Sequence, residues 1–501
     1  MDRRLFLQGF AAALAAGSVT GRPVLAAGDS WKADFAAALK RHPWLLGYKT
    51  AREDGYPLAE LTVEGTIPDR LRGTLYRNGP ARHEIGDTRY QHWFTGDGMV
   101  HAFRIHDGGA SHFGRFVETE KFAAETHACR VLYDGFGSEF EGTLPIRNAD
   151  QLNTANINVI WHGGELLALW EGGSAYRLDP ETLETLGLKT WSAETKGLPF
   201  SAHPRVDRDG TLWNFGYASV FNALVIYRIG ADGRLLDSHA IKMDAVPMVH
   251  DFMITEKHLI LTLPPFVFNR RDDGAFLDQF DWRPEQGGRA LVLDKNDLSS
   301  MREVELPPFW VFHFTNAFET GNDIAFQAPV YESPDVMTSA FRDVMRGAPA
   351  SAAPSTLISA RLDPAKGKFE FSEVSEGIGA EFPRIDNRQQ GRRHRYSVMM
   401  QNRRNPDRLT FDTVARFDHD GGATDSYNYS AGEMAEEHIF VPDPATEDES
   451  TGWVLGTSLN PATAITSLNI FEAGNVAAGP VARLHTTHAI PLGLHGDFVP
   501  A

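Results

Sequence analysis

The feature that most constrains this chain is a long succession of short strand-like segments separated by turns. From about residue 50 to the C-terminus, runs such as GTLYRNGP, GMVHAFRI, GTLWNFGY and STLISARLD alternate apolar and polar residues or carry β-branched and aromatic side chains. Glycine, proline or Asp-Gly pairs bound most of them. No linker divides the chain and no exact repeat is visible, so the pattern predicts an all-β fold, either a degenerate propeller or a large barrel. Helical periodicity is strong only over residues 31–41 and 335–346.

Composition excludes several classes of function. The chain has 501 residues, is 42% hydrophobic and carries a net charge of −18. That content suffices for a large core, and the acidic balance makes nucleic acid an unsuitable partner. Cys129 is the sole cysteine in the sequence, so the chain forms no internal disulfide and no cysteine-based zinc site. The sequence leaves the oligomeric state open.

The first 26 residues resemble a twin-arginine export signal. Arg3-Arg4 is followed by Phe6-Leu7 and by an apolar run from residue 10 to 16, which is too short to span a bilayer. Val24 and Ala26 occupy suitable positions for cleavage. We therefore expect a periplasmic protein whose single propeller domain covers residues 27–501. An ordinary secretory signal and an N-terminal helix are the alternatives.

Four of the 19 histidines stand in apolar, strand-like or glycine-bounded settings. They are His203 in FSAHPRVD, His250 in PMVHDFM, His313 in FWVFHFTN and His495 in GLHGDFVP. A metal site needs several neutral imidazoles that converge, and sequence alone does not show convergence. The pair His485 and His488 resembles a motif, but residues three apart on a strand face opposite sides, so we interpret it as a surface pair.

These four segments, together with YRNGP, HWFTGDGMVHAF, LLALWEGG and EFPRID, resemble the carotenoid cleavage oxygenase family. The family includes apocarotenoid oxygenases, lignostilbene-cleaving dioxygenases and the retinoid isomerase of the retinal pigment epithelium. The resemblance extends from about residue 55 to the C-terminus and keeps the motifs in the family's order. It implies a seven-bladed β-propeller with a cap of loops and short helices over the active-site face.

The resemblance also implies an Fe(II) ion on the propeller axis, with O2 as co-substrate. Carried over motif by motif, the metal ligands are His203, His250, His313 and His495. Three glutamates are implied to hold imidazoles: Glu171 on His250, Glu381 on His313 and Glu437 on His495, with His203 left without one. A carboxylate that accepts the remote imidazole N–H fixes the tautomer and the orientation of the ring.

The spacing of these seven residues agrees with a propeller. Between residues 171 and 495 successive positions are separated by 32 to 68 residues, 54 on average. That distance is close to one blade with insertions. We therefore expect one residue of the set from each blade, and an ordered C-terminal tail that carries His495.

The substrate is expected to be a carotenoid or an apocarotenoid, cleaved at one C=C bond to aldehyde products. In the stilbene-cleaving branch a lysine precedes the first glutamate, whereas this chain has Trp170, whose flat apolar face suits a polyene. Phe312 and Phe382 are expected to line the substrate tunnel. Ile157, in NTANIN, stands where the family has a threonine near the open metal position. The alternatives are a stilbene-cleaving dioxygenase, a retinoid isomerase and a metal-free propeller that serves as a binding scaffold.

A membrane contact is expected at LPPFVFNRR. The sequence places four large apolar residues and two prolines ahead of Arg270-Arg271, which suits peripheral attachment to anionic lipid, and a buried loop between blades is the alternative. The residues of this candidate patch are Leu263, Pro264, Pro265, Phe266, Val267 and Phe268.

Overall fold

The computed structural model describes residues 28–271, 273–350, 352–375, 379–405 and 408–501. The predicted signal peptide, residues 1–26, lies outside the described residues. The fold is a seven-bladed β-propeller, as the resemblance implied. Within each blade the strands are antiparallel, and outside the closures in blades 1 and 7 each strand pairs with the next strand of its blade, which is the connectivity that short turns favour.

Five blades are four-stranded, and their strands run in sequence order from the axis outwards; in blade 4 the separate hairpin Phe266–Phe268/Phe280–Trp282 intervenes between the second and third strands. Blade 2 comprises Asn158–His162, Glu165–Leu169, Tyr176–Leu178 and Thr185–Leu188; blade 3 comprises Arg205–Val206, Leu212–Ala218, Ala223–Ile229 and Leu235–Lys242; blade 4 comprises Met253–Ile254, His258–Leu263, Gly288–Asp294 and Asp297–Leu306; blade 5 comprises Asn316–Thr320, Asp323–Val330, Thr356–Asp363 and Lys368–Ser375; blade 6 comprises Ala380–Arg384, Tyr396–Gln401, Thr413–Asp418 and Thr424–Asn428.

Blades 1 and 7 are five-stranded. The N-terminal segment adds one strand to each of them, and the C-terminal strand completes blade 1. Blade 1 comprises Gly496–Pro500, Gly73–Arg82, Asp97–His106, Gly109–Phe116 and Tyr56–Glu60; blade 7 comprises Met434–Pro442, Gly452–Asn460, Ile465–Glu472, Ala482–His485 and Thr62–Gly65. The C-terminal strand is thus the innermost strand of blade 1, where it pairs with Gly73–Arg82. The N-terminal segment supplies the outermost strands of both blades. The ring is therefore closed twice, and the C-terminal tail is part of the fold.

Short helices and two small hairpins occupy the loops. The α-helices are Gly28–Leu39, Glu120–Ala128 and Phe341–Asp343; a π-helix covers Val336–Ala340; the 3-10 helices are Pro43–Tyr48, Trp93–Thr95, Ala149–Gln151, Ser219–Phe221, Phe276–Gln279, Pro284–Gln286, Val344–Arg346, Asn387–Gln389 and Val476–Ala478; the hairpins pair Glu84–Ile85 with Thr88–Arg89 and Phe266–Phe268 with Phe280–Trp282.

The two predicted helical stretches are both helical, with shifted bounds. The first begins at Gly28 and ends at Leu39, and the second is a mixed π, α and 3-10 segment over residues 336–346. The helix Glu120–Ala128 was not predicted. Its fully buried side chains are Lys121 and Glu125, so the apolar periodicity that reveals most helices is missing there.

A buried ion network explains how that helix is held. The ammonium of Lys121 lies 2.9 Å from Asp97 Oδ1 and 2.9 Å from Glu125 Oε2, and it donates to the Tyr90 hydroxyl at 2.7 Å. Arg82 Nε donates to Asp97 Oδ2 at 2.7 Å. Two cations therefore face two carboxylates inside blade 1, which satisfies charges that would be costly to bury alone.

Candidate metal centre

The four predicted histidines meet in the centre of the propeller. His203 Nε2 lies 3.0 Å from His250 Nε2, and His313 Nε2 lies 3.1 Å from His495 Nε2. The ring centroid of His203 is 4.8 Å from that of His495 and 5.1 Å from that of His313. All four imidazoles are buried, with 5–8% of each residue exposed. The Nε2 atoms therefore converge on one point away from bulk water.

The position of each histidine follows from the blade architecture. His203, His250, His313 and His495 each stand one to three residues before the innermost strand of their blade. In blades 3, 4 and 5 the chain enters at the axis, and in blade 1 the C-terminal strand is the axial one, so side chains at these positions lie close together although the sequence separates them widely. Convergence is thus a consequence of rotational repetition.

Each of the seven expected residues lies in a different blade, but one of them departs from the common position. Glu381 and Glu437 lie in the innermost strands of blades 6 and 7, at irregularities in strand register. Glu171 instead follows the second strand of blade 2. In that blade the residue just before the innermost strand is Ile157. The spacing of the seven residues therefore predicted the correct number of blades, but it placed Glu171 at the wrong position within blade 2.

Each of the three glutamates contacts the remote nitrogen of one imidazole. His313 Nδ1 lies 2.6 Å from Glu381 Oε2, and His495 Nδ1 lies 2.8 Å from Glu437 Oε1. Glu171 Oε1 forms the third contact, to His250 Nδ1. Among the interactions of the described residues, none joins His203 to a glutamate.

A further layer of polar groups holds the glutamates themselves. The Tyr217 hydroxyl donates to Glu171 at 3.1 Å, and the Tyr331 hydroxyl donates to Glu381 at 3.0 Å. Glu437 accepts from Arg77 and from Arg384, both at 2.7 Å. Sequence reasoning missed these four residues. The two arginines lie inside YRNGP and EFPRID, and a buried glutamate's need for a cation was the available signal.

The electrostatics favour a neutral imidazole at His203 and at His495, whereas Glu171 favours the charged form of His250. Burial and the neighbouring histidines hold the pKa of His203 well below its ordinary value, and burial lowers the pKa of His495 to about 3. Burial also opposes the charged form of His250, but the Glu171 carboxylate outweighs it and raises the pKa of that imidazole. Burial would raise the pKa of Glu437, yet Arg384 and His495 hold it well below the ordinary range.

This donor set fits a metal ion. Where Nδ1 donates to a carboxylate, Nε2 is left with a lone pair, and the lone pairs of His313 and His495, whose Nε2 atoms lie 3.1 Å apart, repel one another unless both face a cation. His203, His250 and His313 each offer a ligand nitrogen, and these nitrogens all lie within 4.8 Å of one another. Imidazole suits zinc, copper, iron and nickel, so the ligands alone do not select the metal.

A cavity of about 200 Å³ opens beside the histidines. Its wall is mainly aromatic and aliphatic, as is usual for a site that binds an apolar small molecule. Phe312, Phe382 and Ile157, three of the residues expected along a substrate tunnel, lie in this wall. The short helices Trp93–Thr95 and Val336–Ala340 contribute further wall residues, so the cap helps to enclose the cavity.

Trp170 is the exception among the expected tunnel residues. It is 7% exposed and belongs to the main hydrophobic core, but it is not one of the described residues that line the cavity. Its ring lies against the backbone of Gly172 and Gly173, where a Cβ atom would come within 2.9 Å and 3.3 Å of it. The expectation that Trp170 forms the tunnel wall is therefore not supported by its packing.

Phe382 combines backbone strain with contact to the histidines. Its φ of +53° lies in the left-handed region, which is costly for a residue with a bulky side chain. Its amide donates to Glu381 Oε2 at 2.9 Å. Its ring stacks on His313 at a centroid distance of 5.2 Å. The left-handed backbone of Phe382 thus lets its amide hold the Glu381 carboxylate while its ring lies in the cavity wall against His313.

The candidate membrane patch is largely inside the molecule. Leu263 and Phe266 are each 2% exposed and pack in the main core, and Pro265 is also buried. Pro264, Val267 and Phe268 are half-buried. Burial leaves only the second group accessible for the expected membrane contact, because the hairpin Phe266–Phe268/Phe280–Trp282 folds Phe266 against Trp310, and the contact itself stays a prediction. Within the described part of the chain, no helix is both long and apolar enough to cross a bilayer.

His485 and His488 are half-buried, so the expected surface pair is only partly exposed. His485 Nε2 lies 3.0 Å from Glu64 Oε2, and the ring of His488 stacks on Tyr56 at 4.3 Å. Neither belongs to the metal-compatible group found among the described residues.

Fold and site together define a propeller with an axial histidine centre that opens into an apolar cavity. Comparison with known proteins agrees with that class: the family model described as "RPE65: Retinal pigment epithelial membrane protein" matches residues 48–500. The apocarotenoid-15,15'-oxygenase of Synechocystis is 32% identical over 91% of this chain and 96% of its own length. Lignostilbene-alpha,beta-dioxygenase isozyme III of Sphingomonas paucimobilis is 28% identical over 89% and 94%.

Solved structures give the same result. The crystal structure of cobalt-substituted Synechocystis ACO superimposes with a TM-score of 0.83 at 30% identity, over 92% of this chain and 98% of that chain. The chain belongs to the RPE65/carotenoid cleavage oxygenase family. It is an oxidoreductase of the oxygenase type, in keeping with the oxygenases and dioxygenases among its relatives.

Proposed function

We propose that this protein is an Fe(II)-dependent dioxygenase that cleaves one C=C bond of a carotenoid or apocarotenoid. Each alkene carbon receives one atom of O2, so the products are two carbonyl compounds, in this case aldehydes. The observation that carries the proposal is the convergence of four Nε2 atoms at the end of an apolar, aromatic-walled cavity.

His203, His250, His313 and His495 would hold the iron, and bound Fe(II) would supply the site at which dioxygen reacts with the alkene. Because all four imidazole ligands would be neutral, none of them would offset the positive charge of the metal. Glu171, Glu381 and Glu437 orient three imidazoles and place negative charge one layer further out. The choice of iron over other imidazole-binding metals rests on the family and not on the ligand set.

The chain's other residues position the substrate and exclude water. Phe312 lies at a ring distance of 5.2 Å from His250, and Phe382 stacks on His313, so aromatic faces flank the histidines where a polyene would lie. Ile157 places an apolar side chain in the same wall. Buried apolar surroundings also keep bulk water from the reacting carbons.

A stilbene-cleaving activity is the second candidate. It is favoured by the likeness to lignostilbene-alpha,beta-dioxygenase, and a relative named isoeugenol monooxygenase, from Pseudomonas nitroreducens, is 28% identical over 93% of this chain and 99% of its own length. Against it stands Trp170 at the position where that branch has a lysine. Trp170 does not line the cavity, so its effect on the choice between polyene and stilbene has to be measured.

The deciding experiment is turnover of Fe(II)-loaded protein with β-carotene, an apocarotenal and a hydroxystilbene, with products identified by mass spectrometry. Aldehydes from the polyenes together with O2 uptake support the proposal and identify the scissile bond. Cleavage of the stilbene alone moves the protein to the phenolic branch. Isomerised product without O2 uptake would indicate a retinoid-isomerase reaction, and absence of iron after anaerobic loading would leave only a binding scaffold.

We also propose periplasmic location, on the strength of the N-terminal twin-arginine pattern. Export of a fusion of residues 1–30 to a reporter, with Arg3-Arg4 replaced by lysines as the control, tests it. Membrane association is proposed in a reduced form, through the half-buried Pro264, Val267 and Phe268 beside the exposed Arg270. Vesicle flotation of the wild type and of a Val267→Ser/Phe268→Ser variant tests that contact.

A further inference from the structure

One ion pair joins blades 3 and 4 directly beside the candidate metal centre. Arg205 lies two positions after His203, and Asp251 lies one position after His250. Arg205 Nη2 donates to Asp251 Oδ2, and the two side chains are 17% and 1% exposed. The entries of two blades are therefore connected within two residues of the histidines that those entries carry.

The same pair also holds the chain that enters blade 5. Asp251 Oδ2 accepts from the Phe314 amide at 2.9 Å, and Arg205 Nη2 donates to the Phe314 carbonyl at 3.1 Å. Phe314 directly follows His313 and is itself buried. Side chains from two neighbouring blades thus bind both backbone groups of the residue next to this histidine.

Phe252, the second residue after His250, is bound in the same way. Its amide donates to Asp251 Oδ1 at 2.7 Å, and its carbonyl accepts from Arg205 Nε at 3.1 Å. Besides their contact with one another, the two side chains therefore bind four backbone groups at the entries of blades 4 and 5. Hydrogen bonds with an ionised partner are stronger than neutral ones, so this arrangement resists displacement of one entry relative to the others.

His203 depends most on such support. Among the interactions of the described residues no glutamate joins this imidazole, whereas the other three imidazoles each contact one: Glu171, Glu381 or Glu437. Arg205 binds the neighbouring blades two positions after His203, and the intervening Pro204 has a nearly fixed φ, which makes the connection between them stiff. The backbone of His203 is thereby held although its ring has no carboxylate partner.

The fourth histidine shows the same construction. Arg384 donates to the carbonyl of Gly496, the residue after His495, at 2.9 Å, and Glu437 accepts from the Gly496 amide, also at 2.9 Å. Arg384 and Glu437 are themselves paired at 2.7 Å. An arginine–carboxylate pair therefore binds both backbone groups of the residue after a metal-facing histidine at two separate places, Phe314 and Gly496.

We infer that Arg205 and Asp251 are positioning residues that set the spacing of the three metal-facing histidines of blades 3, 4 and 5. These histidines form the group whose ligand nitrogens all lie within 4.8 Å of one another. Neither Arg205 nor Asp251 is among the described residues that line the cavity, so the pair acts through the backbone and not on a substrate. The inference rests on the metal centre of the proposed function and is independent of which alkene is cleaved.

Co(II) binding tests the inference without turnover. Competition of the Co(II)-loaded full-length protein with a chelator gives the dissociation constant, and the visible absorption of Co(II) reports its ligands and their geometry. Asp251→Asn keeps the size of the side chain, removes its charge and leaves one acceptor oxygen in place of two. We expect Co(II) to bind about 10- to 100-fold more weakly, the usual effect of losing a partner outside the ligands, and its absorption spectrum to change.

Asp97→Asn is the matched control. Asp97 is as buried as Asp251 and also pairs with an arginine, Arg82, but it lies in blade 1 away from the histidine entries. In both variants a buried cation loses its partner, so both are expected to lower the thermal unfolding midpoint. At a temperature well below both midpoints, Asp97→Asn is expected to keep the wild-type Co(II) affinity and spectrum. Equal losses of affinity in the two variants would overturn the inference in favour of a general loss of stability.

Arg205→Lys is the second variant, and it decides the question if Asp251→Asn does not fold. A lysine keeps the charge that faces Asp251, but it lacks the planar fork through which Arg205 binds the carbonyls of Phe252 and Phe314. We expect a folded protein with several-fold weaker Co(II) binding and a changed absorption spectrum. Wild-type affinity and spectrum in both variants, or in Arg205→Lys where Asp251→Asn does not fold, would refute the positioning role.

Failure of the proposed function gives a different pattern. If the wild type binds Co(II) and Fe(II) but cleaves no polyene, the proposed function fails while the loss of Co(II) affinity in Asp251→Asn still supports the positioning role. If the wild type cleaves polyenes and the variants bind Co(II) as the wild type does, only the positioning role is lost. A wild type that binds neither metal would overturn both.

Discussion

His495 Nδ1 lies 2.8 Å from Glu437 Oε1, a contact between residues 58 positions apart that fastens the C-terminal tail to blade 7. The same carboxylate accepts from the amide of Gly496 at 2.9 Å, and Arg77 donates to the carbonyl of Leu494 at 3.2 Å. The last blade and the candidate metal ligand are therefore fixed by one set of contacts. Metal binding and closure of the propeller are consequently expected to depend on one another.

Deletion of residues 494–501 tests that dependence. The deletion removes His495 and the innermost strand of blade 1, which pairs with Gly73–Arg82. We expect iron content after anaerobic loading to fall from about one ion per chain to a background level, and the thermal unfolding midpoint to drop. Elemental analysis and calorimetry measure the two. Removal of Ala501 alone is the control, because that exposed residue touches neither the histidines nor the carboxylates; an iron-replete long deletion would contradict the assignment of His495.

His313→Ala should abolish iron binding without removing a strand. The substitution leaves three imidazoles, leaves Glu381 without its imidazole partner and opens a void against Phe382. Iron per chain, determined after anaerobic loading and desalting, is expected to approach zero. His106→Ala serves as the control, since His106 is exposed and its carboxylate partner Glu60 is also at the surface. An iron-replete, active His313→Ala protein would show that His313 is not a ligand.

Glu437→Gln keeps the shape of the side chain and removes its charge. The change leaves Arg77 and Arg384 facing a neutral amide inside the protein and weakens the hold on His495. Iron affinity is expected to fall by about 10- to 100-fold, the usual effect of losing a residue that orients a ligand. Breaking a buried ion pair from one side is also expected to cost about 3–5 kcal/mol of stability.

Competition with a chelator measures the affinity of the Glu437→Gln protein, and thermal unfolding measures its stability. Glu64→Gln is the matched control because Glu64 also contacts a histidine, His485, but is exposed. The two substitutions should differ strongly in iron affinity. Equal effects would mean that Glu437 does not act through a metal ligand.

Asp97 should make the fold sensitive to acid. Burial alone would raise the pKa of this carboxyl, but Lys121 and Arg82 outweigh it and hold the pKa below its usual value. A carboxyl with a depressed folded-state pKa stabilises the fold above its unfolded-state pKa, about 3.9, and that contribution is lost as pH falls through the folded-state pKa. Below pH of about 3.9 the stability gap between the wild type and Asp97→Asn is therefore expected to narrow.

At neutral pH we expect Asp97→Asn to cost about 3–5 kcal/mol, because Lys121 and Arg82 lose a buried partner. Unfolding midpoints recorded from neutral to acidic pH check both the size of the effect and its pH dependence. Asp107→Asn is the control, since Asp107 pairs with Arg72 at the surface and is 97% exposed. A gap for Asp97→Asn that stays constant down to the lowest pH would contradict the role of its charge.

The sequence by itself indicated an all-β fold of short strands, because strand periodicity and turns are encoded locally, and its family resemblance gave the identity of the clustered residues. Period-2 runs bounded by turns indicate strands wherever one face is buried, and the short motifs around His203, His250, His313 and His495 are recognisable through their resemblance to a family. The three glutamate partners could be assigned through the family resemblance, and the structure brings each of them to the corresponding imidazole.

Only the tertiary structure decided which side chains face the cavity and which support the glutamates. Trp170 and Phe266 are apolar residues in motifs that suggested a tunnel wall and a membrane surface, yet both pack in the core. Arg408, in a stretch without a motif, lies in the cavity wall. The direction of a side chain depends on blade rotation and loop folding, which bring together residues hundreds of positions apart, and local sequence does not carry that information.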